Sequence, residues 1–294
     1  MSDPQLSSVS VVIPVLNAGD TLGEQLEALS KQDFQGEWEV VISDNGSTDG
    51  SRKVAEGWAA ALPVLRIVDS SDREGVSHAR NAGAGAARGE LILVCDADDV
   101  VEPGWITAMA RAAATADVLG GALDDASLND PVLLGWRGHR PNGSLPTTVN
   151  DFLPYAIGAN FGIRASVFRE LGGWDETYRR GGDDVEFSWR AQLRGHRLAY
   201  VPDAVIRYRY RAGLPALARQ FFHYGVAEPR LYRDFRRFGA TRDTLEGIAR
   251  RWRWLLRRLP LAFRPPAVKG RWVGALAFHC GLVRGSLKYR TFYL

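Results

Sequence analysis

At 294 residues and 32.4 kDa, the chain can form one large or two modest domains and bury a sizeable core. With 46% hydrophobic residues, 24% charged residues and 31 glycines, it falls outside the collagen-like, low-complexity and wholly disordered classes. Its net charge of +3 conceals a split: residues 205–294 carry 20 Lys+Arg against 4 Asp+Glu, whereas residues 1–204 carry 17 against 30. Such asymmetry points to two parts with different partners. The basic part also holds 16 of the 30 aromatics, Trp252, Trp254 and Trp272 among them, unlike a disordered basic tail. Cys95 and Cys280 supply neither a disulfide framework nor a four-ligand zinc site. The opening MSDPQLSS has no basic and apolar leader pattern, and no run reaches the ~18 to 20 apolar residues of a membrane span. A cytoplasmic protein is expected.

Along the chain, strands are predicted over 8–15, 38–44, 64–68 and 90–96, and helices over 20–32, 49–61 and 77–87. Short β-branched runs alternating with helices imply βαβ units and a mostly parallel sheet. Ligands bind such sheets beyond the carboxyl ends of the strands, which directs attention to Pro14–Asn17, Asp44–Asp49 and Asp96–Asp99. After a strand predicted over 117–123, residues 124–153 read as a long loop rich in Gly, Pro and Asn, and loops of that length are usually functional or mobile. Regular structure returns at 161–171, and Gly181-Gly182-Asp183-Asp184 opens a helix to about Arg194. Beyond Pro202 the pattern becomes mostly helical, with breaks expected at Pro215, Pro229, Pro260 and Pro265-Pro266.

Four constellations carry chemistry. Asp96, Asp98 and Asp99 follow an apolar strand, and three carboxylates in four residues repel unless a cation sits among them. Hard divalent ions such as Mg2+ or Mn2+ take such oxygen ligands and often bridge them to substrate phosphates; an N-cap cluster for the helix after Pro103 is the alternative. In Ser43-Asp44-Asn45-Gly46-Ser47-Thr48-Asp49 the glycine and hydroxyls suit a strand-to-helix turn, while Asp44 can accept a hydrogen bond from a nucleobase imide. Arg80 lies on a small-residue helix, and its forked donors suit a diphosphate, although a surface arginine beside a tightly packed helix would read the same. Asp183 and Asp184, at a helix start, are candidates for a general base or for simple capping. The histidines 78, 139, 196, 223 and 279 are scattered without metal-ligand spacing.

Taken in order, VSVVIPVLN (Val9 to Asn17), SDNGSTDG (Ser43 to Gly50), GVSHARNAG (Gly75 to Gly83), CDADD (Cys95 to Asp99), GGWDE (Gly172 to Glu176) and GGDDVEFSWR (Gly181 to Arg190) resemble the family 2 glycosyltransferases of the GT-A fold. The resemblance spans about Val9 to Arg211. It implies a GT-A, Rossmann-like α/β catalytic domain over 1–211, followed by a basic helical region over 212–294. It implies that Pro14 and Asp44 hold the nucleobase, that Arg80 lies near the diphosphate, and that Asp96 and Asp98 form the DxD motif. Asp98 would then be the metal ligand, and Asp96, the other metal-site aspartate, closer to the ribose or to the groups that surround the metal's ligands. Asp184 matches the catalytic base, and Trp174, Asp175 and Asp183 match the acceptor side. The implied reaction is inverting, divalent-metal-dependent transfer of a single sugar from a nucleoside-diphosphate sugar to an acceptor hydroxyl on a glycan, a lipid-linked intermediate or a natural product. The alternative is a catalytically retired nucleotide-binding scaffold of the same fold.

Four features depart from the family pattern. Asp183 stands where Glu is more usual, Leu16 where an aromatic often precedes Asn17, and the 205–208 segment offers Arg207 where many relatives complete the metal shell with histidine. The QxxRW signature of processive relatives is missing, since the helix continues Ser188-Trp189-Arg190-Ala191. For the basic region three uses compete: a helical cap on the acceptor side or at a homo-oligomer interface, peripheral attachment to an anionic membrane through Arg250–Arg258, and nucleic-acid binding, which the acidic front domain opposes.

Overall fold

The computed structural model describes residues 8–137, 143–148 and 151–293; His139 and parts of the expected 124–153 loop lie outside the described residues. The chain runs β1 (Ser8–Val15), α1 (Leu22–Ser30), β2 (Glu37–Asp44), α2 (Ser51–Gly57), β3 (Leu65–Asp69), α3 (Val76–Ala86), β4 (Leu91–Cys95), β5 (Val100–Val101) and α4 (Trp105–Ala112). It continues through β6 (Val118–Asp124), α5 (Pro131–Arg137), β7 (Asn160–Arg164), α6 (Ala165–Leu171), α7 (Asp183–Leu193), β8 (Leu198–Arg207), α8 (Leu214–Phe235), α9 (Leu245–Arg257) and α10 (Pro266–Lys288).

One eight-stranded sheet has the order β3-β2-β1-β4-β7-β6-β8-β5. The first four strands are parallel as expected. The other half is mixed, because β7 lies antiparallel to both β4 and β6, and β5 antiparallel to β8, while β6 and β8 run parallel. Strands buried on both faces read as continuous apolar runs, and β1 and β4 are of this kind. Val11, Ile13, Leu91 and Leu93 join the core on one face with Leu26 and Trp105. Val12, Ile92 and Val94 join the other with Phe161 and Phe187, as the two-residue period of a strand requires. The parallel register sets Val15 opposite Asp44, and Asp44 opposite Asp69, so the polar ends of the strands gather at one edge.

Three expectations are corrected. The 124–153 stretch contains a helix, α5, whose Trp136 packs on α10 so closely that a Cβ on Gly270 would come within 2.3 Å of the indole. β8 continues through Pro202, where the β6 partner register shifts between Gly121 and Ala122; a bulge tolerates proline because the ladder bond is already missing. Pro229 does not break α8, which runs 22 residues. Its ring packs on Gly285 of α10, where a Cβ would lie 2.9 Å from Pro229 Cγ. Leu217 lies near Gly274, Phe222 meets Gly281 and Pro229 meets Gly285, so α8 and α10 run parallel, as the return through α9 permits.

The α8 helix also docks on the sheet's helical layer. Val185 and Trp189 of α7 share an apolar cluster with Leu231 and Phe235 of α8, and the Trp189 ring meets Phe152 and Phe235 edge-on at 5.0 and 5.3 Å. Among the described residues no helix is long and apolar enough to cross a membrane.

Candidate active site

The end of β4 delivers Asp96, Asp98 and Asp99, whose carboxylate oxygens lie within 4.8 Å of one another. Asp99 is fully buried; its Oδ1 accepts the Arg209 backbone N–H at 2.7 Å, and its buried Oδ2 has no hydrogen-bond partner among the described residues. Burial, then Asp96 and Asp98, push the Asp99 carboxyl up to about 9, and burial and Asp96 raise Asp98 as well. Hard oxygen donors and an unsatisfied buried carboxylate oxygen fit a divalent cation such as Mg2+ or Mn2+. Gln25, fully buried on α1, braces this loop: its Nε2 donates to the Asp96 carbonyl at 3.2 Å and its Oε1 accepts from Val101 N at 2.9 Å.

Arg207, which stands where many relatives have a histidine, is held by the ladder opposite Val100 and Asp124, where Glu102 engages it at 2.8 Å. The residue that closes over the acidic loop is Arg209, through its N–H on Asp99 and its Nε on the Asp98 carbonyl at 2.8 Å.

Arg80, on α3, is 5% exposed and bridges the two acidic groups of the site. Its Nη1 donates to Asp183 Oδ2 at 2.6 Å and its Nη2 to Asp96 Oδ1 at 3.3 Å. Gly158 lets the guanidinium in, since a Cβ there would sit 2.6 Å from Nη2. Both terminal nitrogens of Arg80, expected near a diphosphate, are held by carboxylates in this structure. Through the same contact Asp183, 4% exposed, is held beside Arg80.

The acidic pair opens α7 after Gly181 and Gly182, whose φ values of +123° and +83° glycine adopts without strain. Asp184 takes the other side of the helix start. Its Oδ2 accepts from Gly158 N at 3.0 Å and its Oδ1 from Val185 N at 2.9 Å. Burial and then the neighbouring Asp183 raise it to about 6, against the pull of those N–H groups and of Arg80. Asp183 is locked in a buried ion pair, while Asp184 has a carboxyl poised near neutral pH.

At the ends of β1 and β2, Pro14 lies opposite Ser43 in the ladder, and Asp44 Oδ1 accepts from Ser47 N at 2.9 Å. Asn45 ties this turn to the next strand end, donating to the Ser70 and Arg73 carbonyls and accepting from Gly75 N. Leu16 is half exposed beside it. Trp174 is 2% exposed and packs in the core, with its ring 4.8 Å from Phe187 and 5.6 Å from Phe161. Asp175 pairs with Arg230 of α8 at 3.2 Å and so fastens the loop before α7 to that helix.

The family model for "Glycosyl transferase family 2" matches residues 10–172. The chain belongs to glycosyl transferase family 2. The family match includes Pro14, Asp44, Arg80, Asp96 and Asp98 and stops before Trp174 and the α7 pair. Among curated relatives, glycosyltransferase AglE of Haloferax volcanii is 26% identical over 222 residues, which cover 74% of this chain and 71% of AglE. The succinoglycan biosynthesis protein ExoO of Rhizobium meliloti is 29% identical over 221 residues, 71% of this chain and 62% of ExoO. Glycosyltransferase GlyG of Streptococcus pneumoniae is 34% identical over 98 residues, and that match spans about a third of either protein. The fold matches the mannosyltransferase PcManGT of Pyrobaculum calidifontis, solved in complex with GDP-Man and Mn2+, with TM-score 0.63, 20% identity and coverage of 95% of this chain and 87% of that one. It also matches S. aureus TarS 1–349 in complex with UDP-GlcNAc, with TM-score 0.54, 16% identity and coverage of 98% and 93%. This likeness to solved structures establishes the GT-A fold.

Gln25 and Arg209 escaped sequence reasoning. A glutamine in a helix has no marker of its partner 71 residues away, and neither the backbone N–H nor the Nε of Arg209 signals the acidic loop 110 residues before it. Asp99 was visible as one of three clustered carboxylates; its burial was not.

Proposed function

We propose that the chain transfers one sugar from a nucleoside-diphosphate sugar to an acceptor hydroxyl with inversion at the anomeric carbon. The observation that carries this reading is the division of labour at α7, where Arg80 holds Asp183 and leaves Asp184 raised to about 6. A base of that pKa is matched to accepting a proton near neutral pH. Asp184 takes the acceptor hydroxyl proton as the acceptor oxygen bonds to the anomeric carbon. The bond from that carbon to the diphosphate oxygen breaks with its electron pair on the departing nucleoside diphosphate. Asp96, Asp98 and Asp99 would hold a divalent ion, which neutralises charge on the leaving group when bound. Asp44 and Pro14 hold the base, and Arg80 fixes Asp96 and Asp183 in place. The α7 helix continues as Ser188-Trp189-Arg190 with Trp189 buried, which supports a single addition per encounter. Release of nucleoside diphosphate from one of a panel of nucleotide sugars, abolished by chelation, is the expected result.

Residues 1–211 supply this catalytic machinery, and 212–294 supply attachment and acceptor-side contacts. Peripheral binding to an anionic bilayer is supported at the turn between α9 and α10. There Leu256 (67% exposed), Leu259 and Phe263 (85% exposed) stand out beside exposed Arg257, Arg258 and Arg264. Vesicles containing phosphatidylglycerol are expected to float the protein and phosphatidylcholine vesicles to leave it behind, with Phe263→Asp weakening flotation; no binding to either vesicle would overturn the attachment.

A further inference from the structure

The loop that ends in Asp184 lies along one face of α8. A Cβ on Gly181 would meet the Tyr224 ring at 3.1 Å, and a Cβ on Gly182 would meet Ala227 at 3.0 Å and Leu231 at 3.5 Å. Positions 224, 227 and 231 recur at helical spacing on one face. Arg180, just before those glycines, is therefore brought against the first half of α8, which carries Arg219 and His223. The link from β8 adds Arg211, two residues past the Arg209 amide that bonds Asp99.

The charges of Arg180, Arg219, Arg211 and Lys288 all bear on the half-buried His223 ring and, with its burial, hold it below the ordinary imidazole value. Arg211 also acts on Asp98. The arginines of this cationic rim thus lie on the segment that leaves the acidic triad, on the first half of α8, and on the loop that packs against α8 just before Asp184. Other arginines around the site are satisfied: Arg80 by Asp183 and Asp96, Arg209 by Glu24, Arg230 by Asp175. Arg180, Arg211 and Arg219 are exposed and make no ion pair among the described residues.

Like charges gathered without counter-charge repel and raise the local concentration of anions. Guanidinium groups present forked donors that match phosphate oxygens. We propose that Arg180, Arg219 and His223, continued by Arg211, form a binding site for a phosphate group carried by the acceptor, next to the hydroxyl that Asp184 deprotonates. The inference rests on Asp184 being the base of the transferase, which places the rim on the acceptor side. The phosphate can belong to a lipid carrier or to a soluble phosphorylated acceptor, and the chemistry of the rim is common to both.

The test is calorimetric titration of the full chain, in the presence of a chelator, with glycerol phosphate and with geranyl phosphate. Wild type is expected to bind both, and Arg180→Gln/Arg219→Gln to bind each at least tenfold more weakly, with an unchanged thermal unfolding midpoint. Geranyl phosphate binding at least tenfold tighter than glycerol phosphate identifies a lipid-borne phosphate, and equal affinities a soluble one. The double variant should keep its affinity for nucleoside diphosphate with Mn2+ within about twofold. Unchanged phosphate affinity in the variant, or an equal loss of nucleoside diphosphate affinity, overturns the proposal, the latter because the rim would then serve the donor. Nucleotide-sugar turnover, measured alongside, separates the two readings: its absence with rim-dependent phosphate binding intact sinks the transferase reading, whereas turnover without rim dependence sinks only the rim.

Discussion

Replacing Asp184 by Asn is expected to lower the transfer rate by about 10²- to 10⁴-fold, the range for a lost general base, while donor affinity stays within a few-fold of wild type. The substitution is nearly isosteric, and the asparagine side-chain oxygen can still accept from Gly158 N, the longer-range of the two contacts, while the one from the adjacent Val185 N is given up. Wild-type activity carries a second signature. Asp184 works deprotonated and its carboxyl is raised to about 6, so the rate should fall as pH drops through 6 and reach a plateau above it. The asparagine variant lacks that acid limb in its residual rate. Steady-state kinetics across pH 5 to 8 would check both; a wild-type rate in Asp184→Asn would transfer the role of base away from this residue.

The second large effect falls on Arg80, whose replacement by Met is expected to destabilise the fold by about 3–5 kcal/mol, the cost of leaving one member of a buried ion pair unpaired. Both side chains of the Arg80–Asp183 pair are 6% exposed, so water cannot take over the lost contact. Arg80→Met/Asp183→Leu removes both charges and should recover much of that loss, because the penalty lies in the orphaned carboxylate. Urea denaturation of the two variants measures this. A change below about 0.5 kcal/mol in the single variant, a size usual for surface substitutions, would contradict the bridging role. The double variant separates support from catalysis: recovered stability with activity still lost places Arg80 and Asp183 as positioning groups for Asp96 and Asp184.

What sequence reasoning could see depended on whether the deciding contact was local. β1, β2 and β4 were legible because strands buried on both faces are apolar throughout and end in abrupt polar residues. The same alternation of strand and helix located Asp44 and the Asp96–Asp99 cluster at the functional edge. β8 was obscured by Pro202, whose missing N–H is tolerated only because β6 and β8 slip register there. Pro229 misled in the same way, since its cost is offset by packing on α10, far along the chain. The antiparallel placement of β7 is a matter of topology that no local pattern records.

Within the site, residue types were legible and their partners were not. Arg80 offered forked donors to any anion; that Asp183, 103 residues away, receives one of them emerges only in the fold. Trp174 carried the same ambiguity between core and surface that any tryptophan does, and Phe161 and Phe187 resolve it as core. The choice between Asp183 and Asp184, open in the sequence, is narrowed by that one ion pair. The charge split proved less like a body and tail than composition suggested, because Leu231 and Phe235 of the basic region complete an apolar cluster with Val185 and Trp189 next to the acidic pair.

The central claim is that three clustered carboxylates and one raised aspartate make a metal-dependent sugar-transfer site. Its most direct test is release of nucleoside diphosphate from a panel of nucleotide sugars by the full chain, with Mn2+ or Mg2+ and with chelator. The account predicts turnover of at least one donor that chelation abolishes, that restored metal recovers, and that Asp98→Ala lacks. Metal-independent binding of nucleoside diphosphates with no release from any donor would contradict it and leave a nucleotide-binding scaffold in its place.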